Sequence, residues 1–118
     1  MKLENESASV GVASNQRLLS ALGLCRKAGK LICGTPLICD ALRSAKKPCA
    51  VIMASDNSEN TQKKLSDKCA FYGVELIVLS LSGDALSGAI GKSGRISAVA
   101  VTDENLYRLL KGAVGKET

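Results

Sequence analysis

The sequence predicts an α/β fold, a three-layer α/β/α sandwich around a mostly parallel or mixed four-stranded sheet. Apolar segments of strand length alternate with segments of helical periodicity, in the order helix and then strand–helix four times. Such alternation places helices on both faces of one sheet. The chain has 118 residues, 46% of them hydrophobic, which is enough for one core without disulfides or a structural metal.

The first predicted elements are a helix that starts near Asn15 and a short strand. Gly29 is placed to end the helix, and residues 30–34 (KLICG) form the strand, which stops at Gly34. The residues that recur at helical spacing are Leu18, Leu19, Leu22 and Cys25.

The second helix and second strand follow directly. Thr35 is the predicted N-cap, and Pro36 occupies the first helical position, where its missing N–H costs nothing. Residues 49–54 (CAVIMA) form an apolar run typical of a buried strand. The residues of this helix predicted to face inward are Leu37, Ile38, Ala41 and Leu42.

The third helix is predicted from about Ser58 to Tyr72, with Ser58 or Thr61 as its cap and Gly73 at its end. Residues 74–80 (VELIVLS) form the third strand. The predicted inward stripe of the helix is Leu65, Cys69 and Tyr72.

A short helix opened by Ser82, a basic turn and the fourth strand come next. The short helix should turn Leu86, Ala89 and Ile90 inward. Residues 96–101 (ISAVAV) form the strand, and Thr102 or Asp103 caps the last helix. The first 14 residues lack any period, so we predict a disordered tail over 1–14 and a single domain over 15–114.

Polar residues follow every predicted strand, just before the next helix. In α/β sheets ligands bind beyond the carboxyl ends of the strands, and helix N-termini offer free N–H groups that suit phosphates. We therefore expect the functional site among these four segments: Gly34–Thr35–Pro36, Ser55–Ser58, Ser80–Gly83 and Thr102–Asp103.

Several classes of function are disfavoured by what the sequence lacks. It has no histidine, which excludes Ser–His and Cys–His dyads and the common zinc sites that contain histidine. It also has no Walker phosphate loop and no dinucleotide-binding glycine fingerprint. Because Asp56 and Asp103 are placed as helix caps rather than as general bases, we expect neither an enzyme nor a cofactor.

The cysteines and hydropathy bear on the compartment. Five cysteines form no C-x-x-C pair, and most lie among apolar residues, as expected for buried thiols in a reduced protein. No apolar run approaches the length of a membrane span, and the N-terminus has no stretch of signal-peptide type. We expect a cytoplasmic protein with no membrane partner. A redox function would need Cys33 and Cys39 close together, which their predicted places in different elements disfavour.

The charge balance favours a polyanion as partner. Sixteen Lys and Arg face eleven Asp and Glu, a net charge of +5, and this excess lies beyond the first 14 residues. An ordinary soluble surface would explain the same balance equally well. Only three aromatic residues are present, too few for a platform that stacks single-stranded bases. A folded RNA held by backbone and polar contacts is the better match.

Three segments carry a family resemblance: LLSALGLCRKAGKLICG, ASDNSENTQKKLSDKCAFYGV and LSGAIGKSGRISAVAVTDENL. Over residues 15–112 their order and spacing resemble the ribosomal proteins of the L7Ae and L30e type that bind kink-turn RNA, and most of all the small bacterial YlxQ-like branch. The resemblance implies the α/β sandwich and binding of a kinked RNA duplex with tandem sheared G·A pairs.

The resemblance also implies where the RNA is contacted. Gly34 and Thr35 match the glycine-led turn after the first strand, Asp56 matches an acidic residue after the second, and 80–83 occupy the second contact loop. Strong kink-turn binders have Asn-Glu and, three residues later, Lys. Here these positions are Pro36, Leu37 and Asp40, which implies weakened specificity.

We therefore predict a non-enzymatic, ribosomal-protein-like RNA-binding protein that acts in translation. Its partner is structured RNA, ribosomal or regulatory, with the ribosome as a candidate site of action, and it is expected to be a monomer. Lys92 and Arg95 are expected at the opposite ends of the strands and are the weakest members of the site. The predicted RNA-binding residues are Lys30, Gly34, Thr35, Pro36, Asp56, Ser58, Lys63, Lys64, Ser80, Leu81, Ser82, Gly83, Lys92 and Arg95.

The alternative is a protein-interaction module on the same fold that has lost the RNA site. In that case Pro36 and Leu37 beside Leu81 would form an apolar patch. Exposure of Leu37 and Leu81 would support this alternative, and burial of both would remove its main basis.

Overall fold

A computed structural model describes residues 17–115, with side chains up to residue 112, so the predicted tail over 1–14 lies outside the described residues. In the described part, no helix combines the length and apolar character that a membrane crossing requires. The elements in chain order are helical residues 17–27 (α1), Leu31–Cys33 (β1), Thr35–Arg43 (α2), Ala50–Ala54 (β2), Glu59–Tyr72 (α3), Glu75–Leu79 (β3), Gly83–Ala89 (α4), Ala98–Val101 (β4) and Glu104–Gly115 (α5).

The four strands form one mixed sheet in the order β1-β4-β2-β3. Strands β2 and β3 are parallel, with Ile52 opposite Ile77. Strand β4 lies between β1 and β2 and is antiparallel to both. Consequently β1, β2 and β3 point one way and β4 points the other way.

Helices cover both faces of the sheet, so the predicted three-layer sandwich is confirmed. On one face α1, α4 and α5 bury leucines such as Leu22, Leu86 and Leu110 against the strands. On the other face α2 and α3 pack Ile38, Leu65 and other apolar residues against the strands. Alternating strand residues supply the two cores, as the two-residue period of a β-strand requires.

Several predicted element ends are confirmed by their caps. The Ser58 hydroxyl accepts the Thr61 N–H at the start of α3, and Gly73 ends that helix with φ 71°. A carboxylate oxygen of Asp103 accepts the Leu106 N–H at 3.0 Å, so Asp103 rather than Thr102 is the cap of α5. Such caps satisfy N–H groups that have no partner within the helix.

The start of α2 differs from the prediction in two respects. Its N-cap is Gly34 rather than Thr35, because the Thr35 hydroxyl bonds the Ser97 hydroxyl at 2.8 Å instead of capping the helix. Leu37, predicted to face inward, is 59% exposed, and Cys39 is buried in addition to Ile38 and Leu42. The buried stripe of α2 is therefore rotated away from Leu37 and towards α3.

The direction of β4 corrects the predicted site edge. Because β4 is antiparallel, Thr102–Asp103 lies at the opposite edge from the carboxyl ends of β1, β2 and β3. Lys30 lies there too, since the Thr102 N–H donates to the Lys30 carbonyl at 3.0 Å. Conversely, Arg95 precedes β4 and comes to the same edge as Asp56, so its expected place at the opposite strand ends was wrong.

All five cysteines are free thiols. Cys25, Cys39 and Cys69 are buried, whereas Cys33 and Cys49 are half-buried. Burial raises the pKa of the Cys69 thiol to about 11, with a further contribution from nearby Cys39. A thiol with such a pKa stays protonated near neutral pH, so Cys69 acts as a small apolar residue of the core.

Candidate nucleic-acid interface

A continuous row of polar groups crosses one edge of the sheet, where β1, β2 and β3 end and β4 begins. The Thr35 and Ser97 hydroxyls lie 2.8 Å apart, and the Asn57 amide donates to the Ser97 carbonyl at 3.0 Å. We call this row the polar edge; it consists of Thr35, Asp56, Asn57, Gly83, Arg95 and Ser97.

An ion pair at the centre of the polar edge joins three loops. The Arg95 guanidinium donates to the Asp56 carboxylate at 2.7 Å and to the Asn57 side-chain oxygen at 2.7 Å. The same carboxylate oxygen accepts the Gly83 N–H at 3.0 Å. The side chains of Arg95 and Asp56 are 40% and 46% exposed, so a ligand that reaches the edge would meet them directly.

The environment of Asp56 favours its ionised form. Partial desolvation raises the pKa of this carboxyl group, but the Gly83 N–H and the Arg95 guanidinium lower it by more, so the pKa lies below its ordinary value of 3.8. A group whose pKa is lower in the folded state stabilises the fold above its unfolded pKa. That contribution is lost as the pH falls through the lower, folded-state pKa.

Replacing Asp56 by asparagine should therefore lower the free energy of unfolding at neutral pH, because the Arg95 guanidinium loses its anionic partner. The difference from the wild type should shrink as the pH falls below about 4, since the wild-type carboxyl group then becomes neutral as well. Urea unfolding of the wild type and of Asp56→Asn, from neutral pH to below about pH 4, measures this difference in the free energy of unfolding. Asp67→Asn, which removes the exposed Lys63 pair, is the control and should change little. A difference that does not vary with pH would contradict the assignment.

Gly83 is placed where no side chain fits. A Cβ atom built on it would lie 2.6 Å from Cγ of Arg95 and 2.7 Å from the carbonyl oxygen of Ile96. Real Cβ atoms essentially never come this close to another heavy atom, and one of these neighbours is rigid backbone. The glycine therefore permits Arg95 to cross the start of α4 and reach Asp56.

Three helices begin at this edge, and their N-termini differ. Ser58 and Ser82 each bond an N–H of their own helix, at Thr61 and Ala85 respectively. The N-cap of α2 is Gly34, which makes no side-chain bond. Its φ of 97° and ψ of 142° belong to a region that is nearly restricted to glycine. Among these three helices, only α2 leaves its first turn without a side-chain cap.

A basic groove runs from the polar edge between α2 and α3. This α2–α3 groove has a volume of about 600 Å³. Two of its lysines, Lys64 and Lys68, form no ion pair with any of the described residues, whereas Arg43 pairs with Asp40. The lining residues are Thr35, Pro36, Cys39, Asp40, Arg43, Thr61, Lys64 and Lys68.

Most of the predicted site residues come together at this edge and groove. The loop after β3 joins the loop after β2, because the Ser55 N–H and hydroxyl both donate to the Leu81 carbonyl. Exposed Ser80 belongs to this loop, and Leu81 is half-buried against the core. The predicted residues that gather here are Gly34, Thr35, Pro36, Asp56, Ser58, Lys64, Ser80, Leu81, Ser82, Gly83 and Arg95.

Three predicted residues lie elsewhere or are already paired. Lys30 is at the opposite edge of the sheet. Lys92 follows the end of α4, where its N–H bonds the Ser87 carbonyl. Lys63 does not line the groove and pairs with Asp67 at 3.2 Å.

The structure adds four residues to the predicted set: Arg43, Asn57, Lys68 and Ser97. Asn57 lies within the expected segment Ser55–Ser58, but the sequence did not single it out. Arg43 and Lys68 were visible as basic residues, but their shared groove depends on how α2 packs against α3. Asn57 adjoins Asp56 in the sequence, but only the structure shows that its side chain is buried, at 7% exposure. Ser97 carried no such signal, because its place depends on the direction of β4.

Comparison with known proteins places the chain in a family. The model of the "Ribosomal protein L7Ae/L30e/S12e/Gadd45 family" matches residues 16–111. The RNA-binding protein YlxQ of Bacillus subtilis (strain 168) is 39% identical over 89 residues, which cover 75% of this chain and 86% of that protein. The RNA-binding protein YlxQ of Enterococcus faecium is 35% identical over 86 residues, covering 73% of this chain and 82% of that protein.

Solved structures share the fold. A protein with unknown function from Bacillus halodurans C is 32% identical with a TM-score of 0.75, and the match covers 84% of this chain and 97% of that one. The Giardia lamblia 15.5kD RNA binding protein is 20% identical with a TM-score of 0.72, covering 87% of this chain and 86% of that one, and this likeness shows the fold alone. The predicted family is confirmed: the chain belongs to the ribosomal protein L7Ae/L30e/S12e/Gadd45 family, in its YlxQ-like bacterial branch.

Proposed function

We propose that this chain is a non-enzymatic, monomeric RNA-binding protein of the cytoplasm. It would hold structured, kink-turn-like RNA, ribosomal or regulatory, at the polar edge and along the α2–α3 groove. The observation that carries the proposal is the uncapped start of α2 at Gly34, which opens directly into a groove containing Lys64 and Lys68. The two YlxQ relatives are named RNA-binding proteins, which supports the same function.

The start of α2 suits the close approach of an RNA backbone. Gly34 has no side chain, and the nearest atom to a Cβ built there is Cδ of Pro36 at 4.0 Å, so a ligand meets little obstruction. Helix N-termini without a capping side chain attract phosphate through their N–H groups and the helix dipole. Exposed Pro36 and Leu37 beside it offer apolar contact to a sugar or a base.

Few side chains at the edge remain free to recognise a particular base. Both amide hydrogen bonds of Asn57 go to backbone carbonyls, at Ala54 and Ser97, and its oxygen accepts from Arg95. The Asn57 amide therefore cannot take the place of the asparagine that strong kink-turn binders have at the position of Pro36. Within the polar edge, the groups that remain are the hydroxyls of Thr35 and Ser97, the other donors of Arg95 and the second carboxylate oxygen of Asp56. So small a set of free polar groups supports RNA binding with weak kink-turn specificity.

The groove supplies the electrostatic part of binding. Lys64 and Lys68 line the groove from α3, and Arg43 lines it from α2. Asp40 is the one acidic lining residue among the described side chains. Cations that contact phosphates release counterions when RNA binds, so affinity should fall steeply with added salt.

The state of Asp56 supports the non-enzymatic part of the proposal. Its pKa lies below the ordinary value, so the carboxyl group is fully ionised at neutral pH and is held by Arg95 and Gly83. A general acid or base works best when its pKa lies near the working pH. Asp56 is therefore suited to holding loops rather than to transferring protons.

The test is binding to a labelled kink-turn RNA and to a matched RNA whose sheared G·A pairs are replaced by Watson–Crick pairs, over a salt series. We expect both RNAs to bind, with a preference for the kink-turn of about tenfold or less. Each bidentate contact to a base adds about 1–3 kcal/mol of discrimination, and the Asn-Glu pair that would make such contacts in the family is absent here. The logarithm of the affinity should fall linearly with the logarithm of salt concentration. An affinity that is unchanged between low and moderate salt, or no binding at low salt, would contradict the proposal.

The protein-interaction alternative has weaker support. Leu37 is 59% exposed, as that alternative requires, but Leu81 is half-buried and packs against the core. The predicted three-residue patch is therefore reduced to Pro36 and Leu37. If the RNA titration showed no binding, Leu37→Ser would become the variant with which to search for a protein contact.

A further inference from the structure

A second groove lies on the other face of the sheet, between α1 and α5. This α1–α5 groove has a volume of about 440 Å³. It is separated from the polar edge and the α2–α3 groove, because α1 and α5 pack on the opposite side of the strands from α2 and α3. The lining residues are Arg17, Ser20, Ala21, Leu24, Arg108, Leu109 and Gly112.

Two leucines in this groove lie outside the protein core. The helix α1 buries Leu18 and Leu22, but Leu24 is 53% exposed, and α5 buries Leu110 while Leu109 is 48% exposed. Leucines that face water from two neighbouring helices form an apolar patch of the kind that marks a protein contact. The small residues between them, Ser20, Ala21 and Gly112, leave room for another backbone to approach.

The charged side chains that line the groove have one sign. Arg17 and Arg108 both line the groove, and none of its described lining residues is acidic. Arg17 forms no ion pair with a described residue, and Arg108 meets Glu104 at 3.4 Å with both side chains more than 70% exposed. Such an exposed pair is weak, so Arg108 remains accessible to another anion.

We propose that the α1–α5 groove docks an amphipathic helix of another protein that has an apolar stripe flanked by acidic residues. The apolar stripe would cover Leu24 and Leu109, and the carboxylates would meet Arg17 and Arg108. A groove between two helices is the usual seat for such a segment. A second copy of this chain fits less well, because a symmetric contact would bring the arginines of both copies together. RNA fits less well, because the described lining residues include only two cations for phosphates and the two exposed leucines offer no hydrogen bond to a base.

This site is independent of the proposed RNA site, so the chain would bind RNA and a protein at the same time. The probe is a fluorescent synthetic helical peptide with leucines at positions i, i+3, i+4 and i+7 and glutamates on both flanks, and its twin carries lysines in place of the glutamates. Titration of the full chain should show binding of the acidic peptide about tenfold or more tighter than that of the basic one.

Four variants give the inference its sharpest test. Leu24→Ser and Leu109→Ser should each weaken the acidic peptide several-fold and leave RNA affinity unchanged. The double variant Arg17→Glu/Arg108→Glu should reverse the preference, so that the basic peptide binds more tightly. Phe71→Ser removes an 81% exposed apolar side chain from α3 on the other face and should change nothing. Circular dichroism checks that each variant is folded.

Three results would overturn the inference. The first is equal binding of the acidic and basic peptides. The second is binding of the acidic peptide that is unaffected by Leu24→Ser and Leu109→Ser. The third is sedimentation that shows a dimer of this chain, lost in Leu109→Ser, because the groove would then hold a second copy. RNA titration of the same samples reports separately on the proposed function, so failure of one does not imply failure of the other.

Discussion

Replacing Gly83 by alanine should destabilise the protein by about 1–3 kcal/mol, because the new methyl group has no room. It would lie 2.6 Å from Cγ of Arg95 and 2.7 Å from the carbonyl oxygen of Ile96. Arg95 could swing away only by giving up its bonds to Asp56 and Asn57, and the Ile96 carbonyl could move only with the backbone that leads into β4. Urea unfolding of the two proteins measures the loss.

The same helix provides the control. Gly88 also lies in α4, and a Cβ atom built there would meet nothing within 4 Å. Because alanine has a higher helix propensity than glycine, by up to about 1 kcal/mol, Gly88→Ala should be neutral or stabilising. Equal effects of the two substitutions would show that helix propensity, and not the contact with Arg95, determines the result. We also expect Gly83→Ala to weaken RNA binding, since it displaces Arg95 from the polar edge.

The double variant Lys64→Glu/Lys68→Glu should lower RNA affinity by roughly 10- to 100-fold at low salt and reduce the salt slope by about two, if each lysine meets one phosphate. Both lysines line the α2–α3 groove, and neither is neutralised by an ion pair among the described residues. Removing two cations and adding two anions there should repel the backbone that the groove is proposed to hold. Fluorescence anisotropy with the kink-turn RNA at several salt concentrations measures both quantities.

The matched control is Lys27→Glu/Lys30→Glu, which changes the net charge by the same amount. Both residues are exposed, and they lie at the end of α1 and at the opposite edge of the sheet. Since both double variants change the net charge equally, a greater loss of RNA affinity in Lys64→Glu/Lys68→Glu is due to where these lysines lie and not to net charge. Equal losses in the two double variants would mean that RNA is attracted by overall charge and not held in the groove.

The local structure could be predicted from sequence because it depends on nearby residues. The stripe of Leu18, Leu22 and Cys25 determined α1, and Ser58 and Gly73 determined the ends of α3. In each case the hydrogen bond or the left-handed turn involves residues within a few positions of one another. The layer architecture followed from the alternation of elements, which is also a pattern along the chain.

The direction of β4 could not be predicted in this way. In a strand–helix–strand unit the helix usually carries the chain back to the edge where the first strand began, so that the second strand runs parallel to the first. Here α4 has only seven residues, roughly 10 Å, and the chain then turns back so that the Ile96 N–H meets the Gly83 carbonyl. Strand β4 therefore starts at the edge where β3 ends. That reversal brought Arg95 and Ser97 into the site and took Thr102–Asp103 out of it.

The start of α2 shows a second limit. Thr35 followed by Pro36 is a sound N-cap pattern, yet the Thr35 hydroxyl bonds Ser97, which is 62 residues away in the chain. Leu37 and Ile38 are both apolar, so the helical period alone could not decide which of them faces α3. The packing of α2 against α3 buries Ile38 and Cys39 and leaves Leu37 in water.

The place of β4 between β1 and β2 has a consequence for how the protein is made. During synthesis β2 and β3 can pair as soon as both have emerged, but β1 has no neighbour until its partner Val99–Val101 follows, almost 70 residues later. Pairings so distant in the chain form slowly, since the intervening loop must first close. The sheet is therefore completed only when most of the chain has left the ribosome, and shorter nascent chains expose the apolar face of β1 to chaperones and to aggregation.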